Sequence, residues 1–122
     1  MSEEEVPENI RAELIRLCEK SKCRISEFSR ERPTHWSPGT VVDPRNSDGN
    51  CFTDNTAWDF IAECLKKGHP VKKKVLKKPP GKIGYVMQIP QSDGKIIYIK
   101  LQLAPPGVVG RSFHYSDFDQ KS

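Results

Sequence analysis

The sequence predicts an α+β fold in which N-terminal helices pack on one face of a three- to four-stranded antiparallel sheet. Three observations predict it. The run from Lys82 to Tyr115 divides into three strand-like segments, punctuated by Ser92-Asp93-Gly94 and by Pro105-Pro106-Gly107. Two stretches ahead of it, 7–20 and 54–67, carry apolar residues at helical spacing. With 122 residues and no internal repeat, the chain reads as a single domain, 1–122, with flexible ends at 1–6 and 117–122.

Taken in order, Pro7 suits a first helical turn and Glu8 complements the positive end of the helix dipole. Ile10, Leu14, Leu17 and Cys18 then form one apolar stripe, and the helix is expected to end near Lys20–Lys22. Residues 24–52 are irregular, interrupted by Pro33, Pro38 and Pro44 and by Gly39 and Gly49. Ile25 and Phe28 suggest a short helical turn there, and Thr40-Val41-Val42 a short strand. So long a loop is usually functional or clamped by a few anchors, and Trp36 and Phe52 are the candidate anchors. Thr53-Asp54-Asn55-Thr56 offers N-cap residues for a helix striped by Ala57, Trp58, Ile61, Cys64 and Leu65, and Gly68 is its expected stop.

The lysine-rich link that follows has room for a short extra strand. Beyond it, Ile97, Ile99, Leu101 and Leu103 alternate with Tyr98, Lys100 and Gln102, which assigns the aliphatics to the core face. The opposite face then carries Gln88, Tyr98, Lys100, Ser112 and His114, the one concentration of chemistry in the chain. Arg111 has the wrong parity for that face in a regular strand, so it either needs a bulge at Gly110 to reach it or sits at the rim.

The net charge of +4 hides an asymmetry. Between Lys66 and Lys82 stand eight lysines and no acid, while Ser2–Glu5, Asp117 and Asp119 make the two ends acidic. Lys72, Lys73, Lys74, Lys77, Lys78 and Lys82 are the candidate nucleic-acid contacts, because clustered cations bind polyanions through counterion release. A solvated lysine loop is the plainer alternative. No apolar run is long enough to span a bilayer, and MSEEE is unlike a signal peptide, so a soluble, cytoplasmic protein without a membrane partner is expected. Cys18, Cys23, Cys51 and Cys64 include no C-x-x-C pair, and His35 and His69 sit at no ligand-like interval, so reduced thiols and no metal or cofactor are expected. His35, beside Trp36, is open to a site role, although a lone loop histidine is more often incidental.

Tyr-Val-Met-Gln-Ile (85–89), Ile-Tyr-Ile-Lys-Leu (97–101) and Val-Val-Gly-Arg-Ser-Phe-His (108–114), behind a helix and a basic link, resemble the RelE/MqsR-type toxins of toxin–antitoxin systems, within the barnase–EndoU–colicin–RelE superfamily. The resemblance covers about Thr53 to Tyr115; the Trp36 loop has no counterpart. It implies a small basic ribonuclease acting on mRNA, with RNA, the ribosome and an antitoxin protein as partners. It implies sheet-face roles for Gln88, Tyr98 and Lys100, and an acid or base role for His114.

Independently of that resemblance, metal-free RNA cleavage needs a base for the 2′-OH, a cation on the phosphate and an acid for the 5′-oxygen. Each positioned proton transfer contributes ~10²–10⁴-fold. His114 is the proton carrier of the face, Lys100 and Arg111 its cations, Tyr98 a stacking or orienting group, and Gln88 and Ser112 further hydrogen-bonding groups. A non-enzymatic nucleic-acid-binding or regulatory module is the alternative, with the lysine link on phosphates and Tyr85, Tyr98 and Phe113 as stacking or core surface. A protein-interaction partner whose basic surface meets an acidic inhibitor is a third.

Overall fold

The structure, a computed structural model, describes residues 6–27, 30, 34–77 and 81–116. It contains two α-helices, α1 (Glu8–Cys18) and α2 (Asp54–Lys66). Its sheet has six strands: β1 (Arg24–Ile25), β2 (His35–Trp36), β3 (Lys72–Val75), β4 (Ile83–Pro90), β5 (Ile96–Ala104) and β6 (Gly107–Tyr115). β3 to β6 form an antiparallel meander, and β1 and β2 both pair with the outer edge of β6 in parallel.

The expectation of three to four antiparallel strands is corrected by β1 and β2. Both are two residues long, too short to show the alternation by which a strand announces itself. The helical turn expected around Ile25 is replaced by β1, and Phe28 lies outside the described residues. Thr40 closes a 3₁₀ turn over Pro38–Thr40, and Val42 makes only a single bridge to Cys51. The lysine link does contain the extra strand, β3. Of the ends expected to be flexible, Val6 is buried and donates its N–H to the Val71 carbonyl; the remainder lies outside the described residues.

Local chemistry sets the element boundaries. Thr53 caps α2 in a reciprocal box with Thr56: each side-chain oxygen accepts the other residue's backbone N–H. Gly68, at φ +85°, ends it with a left-handed conformation that costs glycine little. Arg11 of α1 donates to the Leu65 and His69 carbonyls, placing a cation at the negative end of α2. The β4–β5 hairpin turns at Gly94, φ +90°, with the Asp93 carboxylate accepting the Lys95 N–H.

Ile97, Ile99 and Leu101 are fully buried in one cluster with Leu14, Leu17, Trp58, Ile61 and Leu65, whereas Leu103 is only partly covered. Phe113, opposite Ile99, meets the rings of Phe52 and Phe60 at 4.9 and 6.5 Å. The irregular stretch is held at both expected anchors. Phe52 lies against Phe60 as well, while Arg45 spans Asp43, Glu63 and the Thr56 carbonyl above the Phe52 and Phe60 rings. Burial would raise the Asp43 carboxyl, but the hydrogen bonds from Arg45 outweigh it and hold that group below the usual carboxylate range.

Trp36 is the other anchor. Its ring lies 4.9 Å from that of Trp58 and 5.5 Å from that of Phe113, and its Nε1 donates to Asp54 Oδ1 at 2.7 Å. It rests directly on Gly110, where a Cβ would stand 2.3 Å from the ring. Gly110→Ala is therefore expected to destabilise the protein by about 1–3 kcal/mol, the usual range for forced overpacking. Gly39→Ala, at a glycine with nothing within 4 Å, is the control and should leave the urea midpoint essentially unchanged. Equal midpoints for the two variants would contradict this packing.

Candidate active site on the polar sheet face

The register arranges the polar face in cross-strand rows. One row runs Lys72, Val86, Lys100, Ser112, His35, and the next runs Gln88, Tyr98, His114. A third holds Lys74, Gly84, Gln102 and Val109. With neighbouring strands ~4.8 Å apart and alternate residues ~7 Å apart along a strand, these groups share one compact patch. Every charged residue that the rows place on this face is a cation.

Arg111 joins them through a β-bulge. Lys100 pairs with Ser112 but Leu101 pairs with Gly110, so Arg111 is the extra residue. The bulge turns its side chain onto the Lys100 face, where Nη1 donates to Gln102 Oε1 at 2.6 Å in a buried contact. Gly84 clears the space beside it. A Cβ there would come within 2.8 Å of Leu76 and 3.4 Å of the Lys100 stem, so the bare backbone of β4 lets the Lys100 methylenes lie across it.

Tyr98 and His114, directly opposite each other, are stacked with ring centroids 5.4 Å apart and 30° between planes. His114 Nδ1 lies 2.8 Å from the Tyr115 carbonyl oxygen. A carbonyl only accepts, so Nδ1 carries the hydrogen and the neutral ring presents Nε2 as its lone pair. His35, exposed on β2, makes an edge-on contact with His114 at 6.2 Å. Nothing local in the sequence marks His35, because its partner is 79 positions away; only the parallel pairing of β2 with β6 unites them.

Burial holds the Lys100 ammonium below its usual range, and the charges of Lys74 and Arg111 lower it further. Burial raises the Tyr98 phenol, which stays a neutral hydrogen-bonding group at physiological pH. A half-desolvated lysine beside two more cations is a place where an anion is favoured. Among the described residues no group of three or more His, Cys, Asp and Glu is placed to hold a metal ion. Burial pushes the Cys18 and Cys64 thiols up to about 12, leaving them as small hydrophobes. No described helix is long and apolar enough to cross a membrane.

The structure divides the lysine cluster. Lys72 and Lys74 share the face of Lys100, whereas Lys73, opposite Tyr85 and Leu101 in the rows, points to the other side of the sheet. Lys77 and Lys82 are exposed in the β3–β4 connection, and Lys78 lies outside the described residues. Gln88 is exposed at the far end of the Tyr98 row. Compared with protein-family models, curated proteins and solved structures, the chain matches none. The side chains of this face are therefore what a functional reading rests on.

Because alternation separates the lysines, if the face takes a polyanion, tested with single-stranded RNA as the probe, Lys72→Ala and Lys74→Ala should each weaken that binding. Each should also flatten its logarithmic salt dependence, by a slope of roughly 0.7 for each phosphate no longer neutralised. Lys73→Ala should change neither by a comparable amount. A Lys73 effect equal to the other two would mean that the link acts as an undivided charge cloud.

Proposed function

We propose that the protein is a metal-independent endoribonuclease of the RelE/MqsR type, the toxin of a toxin–antitoxin pair acting on mRNA in the cytoplasm. The observation that carries the reading is the β6 bulge, which adds Arg111 to a face already holding Lys100 and a histidine with a directed lone pair. Two adjacent cations match the charge of a phosphodiester whose transition state gains negative charge, and such stabilisation is often the main source of rate enhancement. His114 Nε2 removes the 2′-OH proton, Tyr98 fixes the imidazole plane by stacking, and Ser112 and Gln88 supply hydrogen bonds to sugar or base. Lys72 and Lys74 extend the cationic track for the flanking phosphates. In this reading a basic face of this kind also suits an acidic antitoxin, and the ribosome as the place of cleavage.

Purified protein should cleave RNA, alone in EDTA or with ribosomes in magnesium buffer, and His114→Ala should reduce the rate by ~10²-fold or more while the thermal midpoint is kept. Lys100→Ala should lower both affinity and rate. Wild-type protein that binds RNA with the expected salt dependence but cleaves none would leave a nucleic-acid-binding module in its place.

A further inference from the structure

We propose that His35, delivered by β2, is the second proton-transfer group of this site: the general acid that protonates the 5′-oxygen leaving group while His114 acts as base. The inference rests on the ribonuclease reading and adds a residue and a division of labour to it.

The geometry supports it in three ways. His35 stands in the same cross-strand row as Lys100 and Ser112, and one diagonal step from His114. Two imidazoles whose centroids are 6.2 Å apart, set edge-on at 71°, are close enough for one phosphate group to hydrogen-bond to both rings. The roles follow from protonation. The carbonyl of Tyr115 fixes His114 with its lone pair on Nε2, the form a base requires. His35 has no such hydrogen bond among the described residues and is exposed, so its ring is free to turn a nitrogen toward the leaving oxygen.

The reaction balances without a further reagent. The 2′-oxygen forms a bond to phosphorus as His114 Nε2 takes its proton. The bond from phosphorus to the 5′-oxygen breaks, and that oxygen takes the proton of the His35 imidazolium. A 2′,3′-cyclic phosphate and a 5′-hydroxyl result. The titratable and charged groups facing the pair are Tyr98 and Lys100 from β5 and Arg111 from β6, with Lys72 and Lys74 beyond them on β3.

The test compares wild type, His35→Ala and His114→Ala on a dinucleotide RNA and on its analogue with a 5′-bridging sulfur, whose thiolate leaves without a proton. On ordinary RNA, His35→Ala should be ~10²–10⁴-fold slower. On the sulfur analogue it should return to within a few-fold of wild type, whereas His114→Ala should stay defective. The wild-type pH–rate profile should be bell-shaped, with the alkaline limb missing in His35→Ala. Unimpaired cleavage of ordinary RNA by His35→Ala would overturn the proposal, as would a defect equally deep on both substrates. If the wild type cleaves neither substrate, the ribonuclease reading itself fails.

Discussion

The contact between Trp36 and the bare backbone of Gly110 is the constraint on which the rest of this structure depends. It lets an indole pack against β6 beside Trp58 and Phe113, tied to the start of α2 by its hydrogen bond to Asp54. Trp36 is one of only two residues in β2, so fixing its ring fixes the strand, and alternation then places His35 on the opposite face. The same glycine is the bulge position next to Arg111, so one small residue serves the core on one side of the sheet and the cation cluster on the other. Core packing and site geometry are thus set together. The long loop, which has no periodicity in its sequence, is held by aromatic and Arg45 contacts together with the short pairings of β1 and β2 to β6 and scattered backbone hydrogen bonds such as that from the Phe52 N–H to the Val41 carbonyl.

Electrostatics gives the polar face its direction. Gln102, Arg111 and Ser112 are buried although they belong to the face opposite the core, so this side of the sheet is partly shielded from water. Charges there interact more strongly than in bulk solvent, and Lys100 responds with a depressed affinity for its proton. An arrangement of like charges in a half-dry site is unfavourable in the free protein and becomes favourable when a polyanion arrives. That is the physical basis on which a phosphate chain is proposed as the partner of this face. The three lysines of β3 are all exposed on an edge strand, so Lys72 and Lys74 differ from Lys73 in the face they occupy and not in burial.

Much of this is legible in the sequence where periodicity is strong. The alternation over 96–103 assigns both faces of β5, and the cap residues at 53–56 with the Trp58 stripe locate α2 to within a residue or so. The parity of Arg111 already requires a bulge at Gly110 if that residue is to reach the site, and the bulge is there. What cannot be read is non-local. Two-residue strands have no period, and their parallel partners stand more than 70 positions away, so neither β1 and β2 nor the approach of His35 to His114 leaves a local signature. The lysine run misleads in a different way: composition reports charge density, but only strand pairing reveals that Lys72 and Lys74 face one way and Lys73 the other.

The most direct measurement of the central claim, that the Trp36 seat holds His35 and His114 around one phosphate, is a titration of both imidazole ring resonances with uridine 3′-monophosphate by NMR. In the wild type both rings should shift along a single binding curve. In Gly110→Ala the His114 response should persist while that of His35 is weakened. Wild-type rings that respond with different midpoints, or a His35 that does not respond at all, would contradict the account.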